Sequence, residues 1–354
     1  GDVPPACRDA ADAMTPAPDD FAERIVAWQR SHGRSGLPWQ GTADPYRVWL
    51  SEIMLQQTQV STVLGYFERF LARFPNLSAL AGAPEDDVLA LWSGLGYYSR
   101  ARNLHRCAQE IVARHGGEFP RSAQELAHLP GIGRSTAAAI AAFCFGERSA
   151  ILDGNVKRVL ARVTGFSDDL AKAAAERRLW DCAHSLLPST GGDMPAYTQG
   201  LMDLGATVCL PRQPACGACP VHEGCVAAGE AAPQRYPVKT RKLRRTAQSL
   251  WLLQARRDDG AVWLQKRPPK GIWAGLYCLP VFASEAALRE ILPQPEDAVA
   301  LEPFVHVLTH KDLHLHPIAC GQAPRLQDGA WVDAQRWPQL GMPAPVRRML
   351  EDGP

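Results

Sequence analysis

Four closely spaced cysteines are the most distinctive chemical motif of this chain. Cys209, Cys216, Cys219 and Cys225 follow the pattern C-x6-C-x2-C-x5-C, which places four thiols within 17 positions. A zinc ribbon usually has two C-x2-C pairs separated by a longer stretch, whereas this pattern has one such pair. Thiolates are also the usual ligands of iron–sulfur clusters. The spacing therefore predicts a single [4Fe–4S] cluster on a loop at 209–225, with zinc or a disulfide framework as the alternatives.

Two carboxylic acids lie in sequence contexts that would give them opposite chemical properties. Glu52 shares a polar helix face with Gln56 and Gln59 in an otherwise apolar segment. Asp153 directly precedes a helical pattern, where its simplest role is an N-cap. Burial would raise the pKa of Glu52 and make it a proton donor, whereas an Asp at a helix N-terminus stays ionised and can stabilise a developing cation. Such a pair fits cleavage of an N-glycosidic bond.

A glycine-rich turn between two helical patterns is the next motif. The segment 129–134 reads L-P-G-I-G-R and lies between helical patterns at 122–128 and 135–143. The glycines allow a tight turn and close approach to a phosphate, toward which the second helix directs its free N–H groups. This motif predicts a helix-hairpin-helix that binds DNA without reading base sequence, and an ordinary interhelical connection is the alternative. The residues predicted to face the DNA backbone are Leu129, Gly131, Ile132, Gly133 and Arg134.

The composition indicates an intracellular protein. The chain has 354 residues, of which 46% are hydrophobic and ten are cysteines, and its formal net charge is +1. Because no charged-then-apolar leader is present, the cysteines indicate a reducing compartment. No apolar run is long enough to span a membrane, and the absence of a heptad pattern makes a monomer the expected state. Any affinity for nucleic acid must come from local basic patches and backbone amides.

The elements that must position these residues divide the chain into four segments. Residues 1–18 are rich in Ala, Pro and Asp without periodicity and are expected to form a disordered lead-in. Residues 19–233 are predicted to be mainly helical, and apolar residues at three- and four-residue steps within 46–74 indicate a core-facing helix or helix pair. Residues 234–246 contain a basic run with a proline and are predicted to be an interdomain linker.

The remaining segment, 247–354, has the pattern of a small mixed α/β domain. Leu250–Ala255 and Val262–Lys266 are predicted strands, and Arg257–Gly260 supplies turn residues for a hairpin between them. Further apolar or alternating runs follow toward the C-terminus.

Together, these motifs resemble one family of DNA repair enzymes. The L-P-G-I-G-R hairpin, an Asp about twenty residues later and the cysteine loop are combined in the helix-hairpin-helix base-excision glycosylases of the endonuclease III superfamily. Within it, the segments 37–39, 51–60, 94–104 and 152–156 are similar to those of the adenine DNA glycosylases. The resemblance implies a helical glycosylase domain of two lobes with the iron–sulfur loop, followed by a Nudix-like domain.

The resemblance also implies a reaction. Glu52 would protonate N7 of a flipped adenine, and Asp153 would stabilise the oxocarbenium-like sugar until water attacks. Asn155 and Ser135 would support this pair. Enzymes that also cut the strand have a lysine nucleophile where this chain has Ser135, which implies a monofunctional glycosylase. Lys157 would contact a phosphate, or react adventitiously with the abasic product.

Other residues would bind the substrate, which the resemblance implies is double-stranded DNA with adenine opposite 8-oxoguanine or guanine. Those implied to contact or enclose the adenine are Arg34, Trp39, Gln40 and Gln199. Those implied to wedge into the duplex at the mispair are Gln57 and Tyr97.

The C-terminal domain resembles a Nudix fold that has lost its hydrolase motif. The stretch that should supply the metal-binding acids reads S-E-A-A-L-R-E-I-L at 284–292, and its acidic triplet is incomplete. In the family this domain recognises 8-oxoguanine through a loop that reads Phe-Ser-His, and the matching residues are Leu308, Thr309 and His310. Two rival functions remain: a bifunctional pyrimidine glycosylase and lyase, and a nucleotide pyrophosphohydrolase fused to a DNA-binding iron–sulfur module.

Overall fold

The computed structural model describes residues 14–240 and 244–353. Its α-helices are α1 (Phe21–His32), α2 (Pro45–Leu55), α3 (Val60–Arg73), α4 (Leu77–Gly82), α5 (Glu85–Trp92), α6 (Ser99–Arg114), α7 (Ala123–Leu126), α8 (Arg134–Phe145), α9 (Gly154–Thr164), α10 (Ala173–Ser185), α11 (Met194–Thr207), α12 (Val226–Gly229), α13 (Glu285–Glu290) and α14 (Ala344–Glu351). Its strands are β1 (Thr246–Ala255), β2 (Val262–Lys266), β3 (Tyr277–Cys278), β4 (Val281–Phe282), β5 (Val299–Ala300), β6 (Phe304–Val307), β7 (Lys311–Cys320) and β8 (Ala330–Val332). None of the helices just given is long and apolar enough to cross a membrane.

The chain folds into two compact units, and the first contains the chain up to Gln56 and again from Glu118 to the linker. In this unit α1 and α9 pack against α11, and α2 packs against α8. Helix α9 contributes apolar side chains at three- and four-residue steps, so they lie on one buried face. Gly165, at φ +61°, ends this helix in the left-handed conformation that favours glycine. The buried residues with this spacing are Val156, Val159, Leu160 and Val163.

The second unit contains residues 57–117 and the C-terminal domain. Of the two alternatives predicted within 46–74, one helix or a helix pair, the structure has the pair, because the chain breaks between α2 and α3. Helix α3 buries Val63, Phe67 and Phe70, and the ring of Phe70 packs edge-on against that of Trp92 in α5. These helices form a lobe separate from the rest of the helical region.

The C-terminal domain contains two sheets. In one, the strand order is β4-β1-β7-β5, with β6 paired to β7, and in the other it is β3-β2-β8. The long strands β1 and β7 run parallel, with Thr246 opposite Lys311 and Ala255 opposite Cys320. Both predicted strands are therefore present, and Gly260 turns the chain between them at φ +82°. The predicted hairpin pairing is wrong, because β1 and β2 belong to different sheets and meet through a single bridge beyond β1.

The helical lobe at 57–117 packs against the C-terminal domain. The hydroxyls of Ser93 and Tyr98 donate to the Met342 carbonyl at 3.3 and 3.2 Å. Lys266 and Tyr277 both donate to the carboxylate of Asp86, at 2.7 and 2.9 Å. The predicted boundary, with one domain at 19–233 and another at 247–354, therefore differs from the compact units, because residues 57–117 are held by polar contacts from the later domain.

Two other boundary predictions need correction where the structure describes them. Of the lead-in predicted to be disordered, residues 1–13 lie outside the described residues, but Thr15 donates its N–H to the Thr164 carbonyl at 2.8 Å. The predicted interdomain linker is hydrogen-bonded to the helical region at Val238 and Thr240. The Leu170 N–H donates to the Val238 carbonyl at 3.0 Å, and Thr240 hydrogen-bonds to the carboxylate of Asp169.

Candidate active site and DNA-contact residues

Glu52 and Asp153 lie within electrostatic reach of each other in the first unit. Glu52 lies on α2, and although its side chain is not fully enclosed, burial raises the pKa of the carboxyl to about 8. The negative charge of Asp153 contributes a smaller part of this rise. The pair therefore provides one carboxyl that holds a proton near neutral pH and a second carboxyl close to it.

Asp153 is the N-cap of α9. Its Oδ1 accepts hydrogen bonds from the N–H groups of Asn155 at 2.8 Å and Val156 at 3.0 Å, while the residue remains exposed. Both donors belong to the helix N-terminus, whose partial positive charge stabilises a carboxylate. The N-cap interpretation is confirmed, and it does not exclude a functional role because the side chain stays accessible.

Ser135 and Asn155 form hydrogen bonds with residues that are close to Asp153 in the sequence. The Ser135 hydroxyl accepts a hydrogen bond from the Leu152 N–H at 2.9 Å, so the first turn of α8 holds the residue that precedes Asp153. Asn155 accepts from the Arg158 guanidinium at 3.0 Å. These are the positions from which two side chains could fix the carboxylate in place.

Two of the residues expected around the adenine, Arg34 and Gln199, are hydrogen-bonded to one carboxylate, Asp203, which the sequence analysis did not identify. Asp203, on α11, is completely buried, and it accepts from the Arg34 N–H at 2.9 Å, the Arg34 Nε at 2.7 Å and the Gln199 amide at 2.8 Å. The Gln40 amide donates to the Arg34 carbonyl at 3.1 Å, and Trp39 is buried. The structure therefore brings Arg34, Gln40 and Gln199 into one hydrogen-bonded network. Asp203 lies four residues after Gln199, the helical spacing that could have identified it.

The glycine-rich turn joins α7 to α8 as predicted. Gly131 has φ +76° and is exposed, and no atom lies within 4 Å of where a Cβ would stand on Gly133, so the turn is open to a ligand. No side chain caps the N-terminus of α8. These features fit a phosphate site made of backbone N–H groups. Arg134 is exposed, and its guanidinium stacks 3.8 Å above the Trp180 ring.

Leu129 and Ile132 anchor the hairpin in the core. Each residue is 4% exposed, and their N–H groups donate to the Leu126 and Leu129 carbonyls at 3.1 and 3.2 Å. Their apolar side chains are therefore buried away from any ligand, and a contact with the DNA backbone at these two positions stays a prediction.

Gln57 and Tyr97 share an unusual backbone conformation in the second unit. Both are exposed, and both have positive φ, +57° and +47°. A positive φ is uncommon outside glycine and persists where the surrounding structure enforces it, often at functional sites. The Tyr97 hydroxyl is hydrogen-bonded to the Thr309 hydroxyl. The structure therefore brings together one expected wedge residue and one residue of the expected lesion loop.

That loop is the turn between β6 and β7. The Leu308 N–H donates to the Lys311 carbonyl at 2.8 Å, which closes the turn, and His310 is exposed. Arg245, at the end of the linker, donates to the Leu308 carbonyl at 2.9 Å and pairs with Asp312. Sequence reasoning did not identify Arg245, since its contacts come from residues more than sixty positions away.

All four motif cysteines line one cavity in the first unit. Arg162, which is 3% exposed, places Nη1 3.4 Å from the Cys209 sulfur, and Arg158 donates to the Cys209 carbonyl at 2.8 Å. The cysteines of the described residues, including all four of the motif, are free thiols. No group of three or more His, Cys, Asp or Glu side chains in residues 14–240 and 244–353 has an arrangement that could hold a metal ion.

Comparison with known proteins identifies the family. A family model described as HhH-GPD superfamily base excision DNA repair protein matches residues 50–184, and a NUDIX domain model matches residues 251–352. The adenine DNA glycosylase of Buchnera aphidicola subsp. Acyrthosiphon pisum is 36% identical over 345 residues, covering 94% of this chain and 97% of that protein. The chain belongs to the adenine DNA glycosylase family.

Other members of the adenine DNA glycosylase family and related structures agree with this assignment. The human enzyme is 42% identical over 215 residues, which cover 58% of this chain and 39% of the human protein. A solved structure described as a thermostable thymine-DNA glycosylase is 28% identical, with a TM-score of 0.52, and covers 59% of this chain and 95% of its own. The chain thus combines a helix-hairpin-helix glycosylase domain with a Nudix-like domain, as the motifs implied.

Proposed function

We propose that this protein hydrolyses the N-glycosidic bond of adenine mispaired with 8-oxoguanine, or less readily with guanine, in double-stranded DNA. It leaves an abasic site and does not cut the strand. The observation that carries the proposal is the pair formed by Glu52, whose pKa is raised to about 8, and Asp153 at the N-terminus of α9.

Glu52 and Asp153 have different roles in the reaction. Adenine is a poor leaving group until its ring is protonated, and the protonated Glu52 carboxyl supplies that proton at N7. The bond between the base and C1′ of the sugar then breaks with its electrons passing to the base, and the sugar becomes cationic. The Asp153 carboxylate stabilises that cation until a water adds to C1′ and releases a proton. Ser135 and Asn155 keep the carboxylate in place.

The substrate residues act on the base and the duplex. Arg34, Gln40 and Gln199, joined through Asp203, would present hydrogen-bonding groups to the extruded adenine, and Trp39 would add an apolar wall. Gln57 and Tyr97 would fill the space in the duplex. Exposed backbone at Gly131 and Gly133, with Arg134, would bind the phosphate chain without reading its sequence.

The Nudix-like domain would read the opposite strand through Leu308, Thr309 and His310. Metal-dependent hydrolysis by this domain is not expected, because its acidic motif is incomplete and Glu285 in α13 pairs with Arg289 at 2.8 Å. The domain therefore serves recognition.

The cysteine loop fits a [4Fe–4S] cluster. Each cysteine of such a cluster binds a different iron, so its four thiolates surround a volume instead of converging on one atom. Cys209, Cys216, Cys219 and Cys225 do surround one cavity, and Arg162 donates toward one of the sulfurs. When bound, the cluster would cross-link the 209–225 loop through these four cysteines, next to Arg162 of α9.

A single-turnover assay tests the proposal. Duplexes carry a labelled strand with adenine opposite 8-oxoguanine, adenine opposite guanine, or an oxidised pyrimidine, and each is analysed with and without alkali. We expect breaks only in the adenine strands and only after alkali. Breaks without alkali at the oxidised pyrimidine would refute the proposal in favour of a lyase. The Glu52→Gln variant should bind the same duplexes and release no base.

A further inference from the structure

Gln57 and Tyr97 are the residues other than glycine that have a positive φ in the helical lobe at 57–117. One buried arginine contacts the segments next to both. Arg100, in the first turn of α6, is 8% exposed. Its Nη2 donates to the Thr58 hydroxyl at 3.2 Å, to the Gly96 carbonyl at 3.1 Å and to the Leu95 carbonyl at 3.3 Å. Thr58 directly follows Gln57. The same nitrogen therefore binds the neighbours of both expected wedge residues.

Aromatic contacts extend this anchoring to the Tyr97 ring. The Arg100 guanidinium lies 5.7 Å from the centre of that ring and 5.2 Å from the centre of the Trp92 ring. The Trp92 indole also donates to the Gly96 carbonyl at 3.2 Å. The segment 95–97 is thus held by hydrogen bonds and ring contacts from one side.

These contacts explain how two unfavourable backbone conformations persist side by side. A non-glycine residue at positive φ relaxes unless its surroundings enforce that conformation. Gln57 and Tyr97 are themselves exposed, so the enforcement must come from buried neighbours. Removing a guanidinium from water is costly, and such buried charges often contribute specificity of conformation more than stability. Arg100 is a buried charge of this kind.

We propose that Arg100 is a positioning residue that holds Gln57 and Tyr97 in the conformations needed to enter the duplex. The inference rests on the proposed function, because it assumes that these two residues replace the extruded adenine. Arg100 itself does not touch the substrate. Arginine suits this role better than lysine, because its planar guanidinium directs several N–H groups at fixed angles while stacking on rings.

The role makes a prediction that depends on the substrate. Extruding a base costs least when that base is already unpaired. A protein whose wedge residues are misplaced should therefore fail most on a mispaired adenine. It should fail least on adenine opposite a tetrahydrofuran abasic analogue, where no partner base has to be separated. A defect of the fold alone would slow both substrates by the same factor.

The experiment measures single-turnover rates of three variants on these two duplexes. Arg100→Met removes the donors, and Arg100→Lys keeps the charge. Arg102→Met is the control, because Arg102 lies on the same helix and donates to the Ala274 carbonyl at 2.5 Å, away from both wedge segments. Thermal unfolding of each variant is recorded in parallel. If the Met variant does not fold, the rates of the Lys variant on the same two duplexes are compared instead.

We expect Arg100→Met to slow adenine release opposite 8-oxoguanine by about tenfold or more, a barrier increase of about 1.4 kcal/mol. Opposite the abasic analogue the loss should be several times smaller, with Arg100→Lys intermediate and Arg102→Met unchanged on both. Equal losses on the two duplexes, or no loss, would overturn the inference. Failure of the parent protein to release adenine would instead refute the proposed function.

Discussion

The hydroxyl of Tyr97 is hydrogen-bonded to the hydroxyl of Thr309, although the two residues are 212 positions apart. Tyr97 lies in the helical lobe at 57–117, and Thr309 lies in the turn between β6 and β7. Because both belong to the same compact unit, the expected wedge and the expected lesion reader are in contact before DNA binds. Insertion into the duplex and recognition of 8-oxoguanine are therefore expected to be energetically coupled.

The coupling can be measured with Tyr97→Phe, Thr309→Val and the double variant. Each single change removes the same hydrogen bond, worth about 1 kcal/mol. We expect each to lower the ratio of cleavage rates opposite 8-oxoguanine and opposite guanine by about fivefold, since 1.4 kcal/mol is a factor of ten. The double variant should lose little more than either single variant. Fully additive losses would show that the two hydroxyls act independently.

The raised pKa of Glu52 predicts how activity depends on pH. The acid works only when protonated, and burial raises its pKa to about 8. The single-turnover rate should be flat on the acidic side of this value and fall about tenfold per pH unit above it. A rate that still rises above pH 8 would contradict the assignment of Glu52 as the acid.

The same pKa predicts a dependence of stability on pH. A carboxyl whose pKa is higher in the folded state lowers stability as pH rises from its ordinary value of 4.5 to about 8, because in this interval the unfolded chain ionises the group while the folded protein keeps it protonated. Glu52→Gln removes this ionisation. The free energy of unfolding of the variant, relative to the parent, should therefore increase across this interval in denaturant titrations. A pH-independent difference would show that Glu52 is not perturbed.

Ser135 predicts the effect of installing a nucleophile. We expect Ser135→Lys to form more borohydride-trapped complex with DNA than the parent, since the lyases of the superfamily have lysine there. The change also removes the acceptor for the Leu152 N–H, which lies 2.9 Å from the serine hydroxyl. The control Ser135→Ala should therefore release adenine more slowly by about tenfold, without trapping. No increase in trapping for the lysine variant would contradict the explanation of this position.

Much of the local structure could be predicted from the sequence, because it depends on neighbours along the chain. Periodicity predicted one or two core-facing helices within 46–74, where α2 and α3 lie, and the Asp153 cap and the turn at Gly131 follow from residue types that few other conformations favour.

The rest depends on contacts between distant segments. The parallel pairing of β1 with β7 joins residues about 65 positions apart, so alternation within β1 could not distinguish it from a hairpin with β2. Asp203 and Arg100 are buried, although charged residue types are usually exposed, so the sequence alone predicts that both lie on the surface. Leu129 and Ile132 are the converse case, because a motif matched to DNA binding also contains apolar side chains that pack in the core.

Leu308 is the position where the lesion loop lacks the ring of the Phe-Ser-His pattern, and it provides the last test. The Leu308 N–H and carbonyl are both hydrogen-bonded, to Lys311 and Arg245, so the loop is fixed by its backbone and a new side chain should not disturb it. A phenylalanine there would offer a ring to stack at the lesion. Stacked aromatic pairs contribute about 0.5–1.5 kcal/mol in addition to the free energy gained by burying their surface. We therefore expect Leu308→Phe to raise the 8-oxoguanine to guanine rate ratio by about two- to tenfold. Leu308→Ala is the matched control and should lower the ratio or leave it unchanged. A ratio that falls in the Phe variant would show that the loop reads the lesion through its hydroxyl and imidazole alone.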